Sequence, residues 1–165
     1  MNLREKHGWT YGANAIIGSG KYVTKLKSTS AVKSTVTDSA VVEFIREIKK
    51  IRTEKVSVDL LNNVKAGYIG RFVMQVQKPQ AIARYALNIE TEELPADFYE
   101  NYIKTINAVT PDDILRAANK YFLLDNTRII IAGKGSEVIP GLEKLNIPIF
   151  YFDNFSNPVE KPVYK

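Results

Sequence analysis

Two stretches near the start of the chain have the pattern of β-strands. In residues 9–17 every second position is apolar or aromatic, the set being Trp9, Tyr11, Ala13, Ala15 and Ile17. Residues 22–30 are rich in β-branched and hydroxyl side chains. Alternation of this kind is typical of a strand with one covered face, and the Gly18-Ser19-Gly20 step between the two stretches is typical of a tight turn. The pattern therefore predicts a β-hairpin.

From residue 37 the apolar positions recur at intervals of three and four, as on one face of an α-helix. The first stripe consists of Val41, Phe44, Ile45, Ile48 and Ile51, and the second of Leu61, Val64, Tyr68, Phe72 and Val76. Thr37 and Ser57 stand shortly before these stripes. Because a hydroxyl at that place can accept a hydrogen bond from the first helical turn, we expect both residues to be N-caps.

Three prolines predict the starts of three further helices, since Pro is favoured at the first helical position. They are Pro79, Pro95 and Pro111. The signal at Pro111 is the clearest, because Thr110 supplies a capping hydroxyl before it and two aspartates follow at the positive end of the helix dipole.

The last part of the chain returns to short apolar runs. Residues 127–132 form such a run between Asn126 and Gly133, which predicts a strand buried on both faces of a sheet. A short helix over residues 136–145 and a strand over residues 147–152 follow. Helices enclosed by strands indicate an α+β fold in which a mainly antiparallel sheet packs against a layer of helices. We expect a single domain over residues 1–152 and an extended tail over residues 153–165.

Composition excludes several classes of site. The chain has 165 residues, no Cys and one His, His7, so it cannot assemble a catalytic zinc site from its own side chains. No apolar run approaches the length of about 20 residues that spans a bilayer, so no membrane span is expected. The net charge of +5 comes entirely from residues 1–60, which hold 11 basic and 6 acidic side chains.

The excess basic charge admits a nucleic-acid interpretation. Lys21, Lys25, Lys27 and Lys33 surround Tyr22, and basic side chains interleaved with aromatic ones bind single strands. Only one aromatic is present and no nucleic-acid motif accompanies it, so a solvated or cavity-lining sheet face is the favoured interpretation and no specific nucleic-acid partner is expected.

Two glycine-containing segments invite a phosphate-binding interpretation. Residues 18–21 read Gly-Ser-Gly-Lys, but a phosphate loop also needs Gly at position 15 and Ser or Thr at position 22, where Ala15 and Tyr22 stand. A hairpin turn is therefore favoured there. Residues 132–136, which lead into a predicted helix, could present backbone amides to an anion. A simple connection is favoured there also, because no further ligand is evident.

Residues 3–12, Leu-Arg-Glu-Lys-His-Gly-Trp-Thr-Tyr-Gly, combine a charged helical end, a Gly stop and an aromatic start of a strand. This arrangement predicts Arg4 on the last helical turn and Tyr11 on the first strand, where both side chains can converge on one surface. His7 is expected to be a surface or helix-end residue. From physical chemistry alone, a Tyr at such a position is more often packed in a core than functional.

The same ten residues closely resemble a segment of the insulinase-type (pitrilysin-like) zinc metallopeptidases. In that family an Arg is followed seven residues later by a Tyr in the half that does not bind zinc, and Arg4 and Tyr11 have this spacing. The similarity extends over about residues 1–150, through the hairpin, the helix that starts after Thr110 and the apolar run that ends at Gly133.

The resemblance implies a C-terminal, non-zinc-binding half-domain that faces a zinc-bearing half. In the family, zinc polarises the peptide carbonyl and activates water, and the Arg and Tyr hold the substrate main chain near the scissile bond. Zinc would be the cofactor of the complete enzyme, bound by a region absent from this chain. Arg4 and Tyr11 would then bind a peptide substrate and stabilise the transition state.

The chain departs from the complete enzyme in two respects. It contains no His-x-x-Glu-His motif, and it begins where family domains are already partway through. We therefore expect a C-terminal piece of a zinc endopeptidase, inactive by itself, whose zinc-bearing half lies on the same polypeptide or on a partner subunit. A structural subunit without peptidase activity is the alternative, and retention of both Arg4 and Tyr11 argues against it. A sheet lacking its first strands is also expected to self-associate through its open edge, either strand to strand in a dimer or by exchange of the hairpin between copies.

Overall fold

The computed structural model describes residues 2–5, 7–18, 20 and 22–163. The helices are α1 (Asn2–Glu5), α2 (Thr37–Thr53), α3 (Val58–Val76), α4 (Pro79–Thr91), α5 (Tyr102–Ala108), α6 (Pro111–Tyr121) and α7 (Gly135–Glu143). The strands are β1 (Ala13–Ile17), β2 (Leu26–Ser30), β3 (Tyr151–Phe152) and β4 (Pro158–Val159). The fold therefore combines α-helices with small antiparallel sheets.

The chain divides into two compact units. The first contains the described residues of Met1–Ser19, Thr24–Glu47 and Leu124–Lys165, and the second those of Gly20–Val23 and Ile48–Leu123. The first unit thus holds both hairpins, α1 and α7, and the second holds α3 to α6. The single-domain prediction for residues 1–152 remains a prediction.

The predicted hairpin is confirmed, with shorter strands than the sequence pattern covers. β1 and β2 pair antiparallel, with Ala13 opposite Ser30 and Ile17 opposite Leu26. All five residues of β1 are exposed to solvent, and so are the first four of β2. The hairpin therefore leaves both of its faces largely uncovered.

In the first unit the core forms where α7 meets the start of α2. Its buried apolar side chains are Ala40, Val41, Val138 and Ile139. A Cβ on Gly141 would lie 2.9 Å from a carboxylate oxygen of Asp38, which is too close for any side chain without a shift. Gly at this position therefore permits the close approach of the two helices.

The prediction that Thr37 caps α2 is wrong. A 3-10 turn over Ser34–Val36 precedes the helix, and Thr37 itself has helical dihedral angles, φ −63° and ψ −43°. Its hydroxyl donates to the carbonyl of Lys33 at 3.4 Å. Because the 3-10 turn runs straight into the helix, Thr37 is a helical residue and the capping position lies upstream of it.

Two other helix starts agree with the sequence signals. The Ser57 hydroxyl accepts a hydrogen bond from the Leu60 N–H at 3.2 Å, as predicted for the N-cap of α3. Pro79 is the first residue of α4.

The helix predicted from Pro95 begins only at Tyr102. Residues 95–101 form turns instead, closed by bonds such as that from the Phe98 N–H to the Pro95 carbonyl at 2.9 Å.

The start of α6 is a complete capping box. The Thr110 hydroxyl accepts from the Asp113 N–H at 3.2 Å, and the Asp113 carboxylate accepts from the Thr110 N–H at 3.0 Å. Arg116 adds an ion pair to the same carboxylate at 2.7 Å. These bonds satisfy backbone groups that a helix N-terminus otherwise leaves open.

A cluster of stacked aromatic rings joins α3, α4 and the start of α5 in the second unit. Phe72 lies 4.5 Å from Tyr102 and 5.8 Å from Tyr85 between ring centroids, and Tyr85 stacks on Tyr99 at 4.1 Å. The Tyr85 hydroxyl donates to the Gln75 side chain at 2.8 Å. Burial is the main cause that raises the pKa of Tyr102. The rings therefore form the apolar contact between these helices, with their polar ends bonded or near solvent.

The prediction of a strand over residues 127–132 buried on both faces is wrong for the described chain. This segment pairs with no other described segment, and the Ile130 side chain is 92% exposed. A strand of a sheet needs a neighbour on at least one edge. Since the described residues offer none here, the apolar side chains remain in solvent.

The last strand is shorter than predicted, and the tail is not simply extended. Only Tyr151–Phe152 of residues 147–152 is a strand, and it pairs with Pro158–Val159. Asp153 fixes the turn between them, since its carboxylate accepts from the N–H groups of Phe155 at 2.8 Å and Asn157 at 2.9 Å. The tail thus folds back as a second hairpin.

The capping box predicts a specific loss of stability in acid. The Arg116 hydrogen bond, followed by the Thr110 bonds, lowers the pKa of Asp113 from 3.8 to about 2. Because the folded-state pKa is the lower one, the stabilisation is present above about pH 4 and is lost as the pH falls through about 2. In acid unfolding followed by circular dichroism, the free energy of unfolding of Asp113→Asn should therefore depend less on pH in this window than that of the wild type.

Asp59→Asn is the matched control. Asp59 also lies in the first turn of a helix, α3, but its carboxylate accepts no hydrogen bond from the described residues. The acid-unfolding curve of Asp59→Asn should follow that of the wild type. An Asp113→Asn curve that also overlays the wild type would contradict the role assigned to the capping box.

Candidate functional site

Arg4 is carried by a short helix that a glycine ends. Gly8 has φ +62°, in the left-handed region, and its N–H donates to the Arg4 carbonyl at 3.1 Å. The Trp9 N–H donates to the Leu3 carbonyl at 3.0 Å, and the Leu3 side chain is 5% exposed. The buried Leu3 and the glycine stop therefore fix α1 on the first unit, and the Arg4 side chain, on the last turn as predicted, is exposed.

His7 lies between the helix and the strand. Its ring stacks on that of Trp9, with centroids 4.1 Å apart and planes 18° apart, and its side chain is exposed. This confirms the prediction of a surface residue at a helix end. In the described part of the chain, no three His, Cys, Asp or Glu side chains are grouped so as to hold a metal ion.

Thr10 fixes the backbone around Tyr11. The Thr10 side chain is buried, and its hydroxyl donates to the Gly12 carbonyl at 2.8 Å and accepts from the Gly12 N–H at 3.1 Å. The Ser30 hydroxyl on β2 donates to the same carbonyl at 3.0 Å. Tyr11 is thus the central residue of a bend that is bonded on both sides.

The prediction that Tyr11 lies on the first strand is wrong, because β1 begins only at Ala13. The Thr10 hydroxyl bonds the backbone of Gly12 locally, which competes with strand pairing at these residues. Sequence reasoning missed Thr10 and Ser30 as supports of the bend. A hydroxyl two residues before a Gly was the available signal for Thr10, and no local signal identifies Ser30.

The Arg4 and Tyr11 side chains are both open to solvent. Tyr11 is 100% exposed, and neither side chain makes a hydrogen bond or an ion pair with the residues that the structure describes. The segment therefore presents a fixed positive charge and a phenolic donor from a backbone held by at least five hydrogen bonds. Convergence of the two side chains on one surface remains a prediction.

The two phosphate-binding interpretations gain no support from the geometry. At the first, Ser19 and Lys21 lie outside the described residues, and Gly18 donates its N–H to the Lys25 carbonyl at 2.9 Å as part of the hairpin. At the second, Glu137 occupies the first turn of α7 and pairs with Lys134 at 2.8 Å. Lys134, followed by Ser34, lowers the pKa of Glu137. The start of α7 thus already holds an anion of its own.

The basic residues of the hairpin are solvated. Lys25, Lys27 and Lys33 are exposed, and Tyr22 is 90% exposed. Lys21 falls outside the described residues. This agrees with the favoured interpretation of a solvated sheet face. None of the helices in the described ranges is long and apolar enough to cross a membrane.

No protein-family model matches the chain, and a search of curated proteins found no match.

The glycine stop before the bend yields a prediction about stability. No atom lies within 4 Å of a Cβ built on Gly8, so a methyl group would fit, but the backbone is left-handed there. Gly8→Ala should therefore cost about 1 kcal/mol of unfolding free energy through backbone strain alone. Urea unfolding of the full chain measures this cost.

Gly12→Ala is the matched control, because Gly12 also has free space around its Cβ position and no positive φ. The control should change the unfolding free energy little. Equal losses in both variants would show that the left-handed turn at Gly8 is not what holds the segment.

Proposed function

We propose that this chain is the non-catalytic, substrate-binding C-terminal portion of an insulinase-type zinc metalloendopeptidase. One observation carries the proposal. Arg4 and Tyr11, spaced seven residues apart, are both exposed and without partners in the described chain, although the backbone between them is closely held by hydrogen bonds. A Tyr whose role is structural would more commonly be packed, with its hydroxyl bonded.

The two side chains suit the binding of a peptide main chain. The Arg4 guanidinium is a fixed fork of N–H donors that can bond substrate carbonyl oxygens. The Tyr11 hydroxyl can donate to the oxygen of the scissile carbonyl, where negative charge develops in the transition state. A backbone fixed in advance lowers the cost of aligning such donors.

The residues of this chain do not fit a zinc site of their own. The sequence has one His and no Cys, and the described residues hold no suitable group of ligands. Zinc accordingly belongs to the complementary half, on the same polypeptide or on a separate subunit. Under this proposal the isolated chain hydrolyses no peptide, and its contribution is to bind substrate and stabilise charge.

The proposal includes a larger antiparallel sheet packed against the helices. Its support is the surface left uncovered in the first unit, since β1 and most of β2 are exposed and Ile130 is 92% exposed. Two-stranded hairpins are marginally stable in water, and three or more strands are the usual minimum. Further strands at the hairpin and at residues 127–132 would complete such a sheet.

The proposal predicts the behaviour of two variants in an assembled peptidase. The chain is coexpressed with the His-x-x-Glu-His polypeptide of its source organism, and cleavage of a fluorogenic peptide is measured. Tyr11→Phe should lower turnover by about a hundredfold, as expected when one donor to the developing oxyanion is lost. Arg4→Ala should also lower kcat/KM, because it removes main-chain donors from the bound substrate. Neither change should affect zinc content or unfolding.

Tyr22→Phe and Arg84→Ala are the matched controls, since both positions are exposed and lie outside the segment of Arg4 and Tyr11. Both should retain full activity. Full activity in Arg4→Ala and Tyr11→Phe would overturn the assignment. A complex that forms but cleaves no peptide would favour the structural subunit instead.

A further inference from the structure

The outer edge of β1 carries a row of backbone groups without partners. The Gly18 N–H donates to the Lys25 carbonyl at 2.9 Å, which marks these two as a hydrogen-bonded pair. Bonded and non-bonded pairs alternate along an antiparallel ladder, so the next bonded positions on β1 are Ile16 and Asn14. The N–H and C=O groups that point away from β2 therefore belong to Ala13, Ala15 and Ile17.

No described residue occupies this edge. β1 and β2 form a sheet of two strands, and the backbone bonds outside the strands include none to Ala13, Ala15 or Ile17. Six backbone groups, three donors and three acceptors, are thus open to pairing with another strand.

The edge of β1 also lacks the devices that prevent such pairing. Natural edge strands are protected by charged side chains, especially Lys, by Pro or by bulges. β2 contains Lys27 and follows Lys25, whereas β1, Ala-Asn-Ala-Ile-Ile, contains no charge and no Pro. Of the two edges of this hairpin, β1 is the one open to an incoming strand.

The surface area shows that the described fold leaves more surface exposed than compact units of its size do. The chain exposes 13125 Å². Two separate compact units, each of half its mass, would expose about 10,000 Å² together. This excess of about 3,000 Å² is spread along the chain, and the five exposed residues of β1 contribute to it. Surface that an incoming strand can cover is therefore present at β1.

We propose that β1 pairs antiparallel with β1 of a second copy of this chain, about a two-fold axis at Ala15. In this register Ala15 lies opposite Ala15 of the second copy, and Ala13 lies opposite Ile17. All six open groups of each strand then form hydrogen bonds, and the result is a four-stranded sheet with the order β2, β1, β1, β2. The inference does not depend on the proposed peptidase function.

The side chains at this seam are compatible with self-pairing. Ala13, Ala15 and Ile17 lie on one face of the hairpin with Leu26, since residues directly opposite each other share a face. Two copies therefore join two small apolar faces into one. Where the two β1 strands meet, neither strand places a charged side chain opposite the other.

Charge does not prevent this association at physiological salt. The two β2 strands are three strand spacings apart in the four-stranded sheet, about 14 Å. The Debye length at physiological salt is about 8 Å, so repulsion between the Lys27 side chains of the two copies is largely screened. Dimerisation should weaken as the ionic strength is lowered, because each copy carries a net charge of +5.

Sedimentation equilibrium of the full chain tests the proposal with a matched pair of variants. Ala15→Pro removes the outward N–H of β1 and leaves the ladder to β2 intact, because Ala15 and Ser28 are a non-bonded pair. Ser28→Pro does the same to the outer edge of β2. The wild type and Ser28→Pro should form dimers, and Ala15→Pro should raise the dimer dissociation constant by about thirtyfold or more, since two hydrogen bonds are lost by symmetry.

Amide hydrogen exchange of the wild-type chain gives a second test that needs no substitution. The amides of Ala13, Ala15 and Ile17 should gain protection as the protein concentration rises, whereas those of Asn14 and Ile16 should be protected at every concentration. A chain that stays monomeric to near-millimolar concentration, or equal effects of the two Pro variants, would overturn the proposal. Protection that depends on an added extended peptide and not on protein concentration would also overturn it, in favour of a peptide on this edge.

Discussion

A pair of antiparallel strands cannot cover its own faces, and the first unit of this protein is governed by that constraint. β1 and β2 satisfy each other's inner backbone groups, but they leave two open edges and little buried side-chain surface. The unit is held instead by the contact between α2 and α7 and by the bonds that close the turn after α1. The hairpin thus remains available to other strands.

The second unit is held together by contacts of a different kind. Helices in proteins gain most of their stability from packing, and the aromatic cluster of Phe72, Tyr85, Tyr99 and Tyr102 supplies large apolar contacts at several ring-to-ring distances below 6 Å. Capping at Ser57 and Thr110 fixes where α3 and α6 begin. Local hydrogen bonds define where α3 and α6 begin, and ring contacts hold α3, α4 and the start of α5 together.

Sequence reasoning succeeded where neighbouring residues decide the structure. The hairpin, the Ser57 cap, Pro79 at the start of α4 and the Thr110 capping box all follow from groups within a few positions of one another. It failed where a distant or absent partner decides. The run at residues 127–132 has the composition of a buried strand but no strand beside it, and Tyr99 belongs to the aromatic cluster although it lies outside every helical stripe. Arg4 was placed correctly because a glycine stop is a local signal, whereas the bend at Tyr11 depends in part on Ser30, on another strand.

The tyrosines in and beside the first hairpin differ in chemical accessibility from those of the aromatic cluster. Tyr11 is entirely exposed and Tyr22 almost so, whereas Tyr85 and Tyr99 stack on other rings and engage their hydroxyls in hydrogen bonds. A reagent that nitrates or iodinates phenol rings should therefore label the hairpin region well before the aromatic cluster. Such a label at Tyr11 would report directly on whatever approaches the bend at residues 10–12.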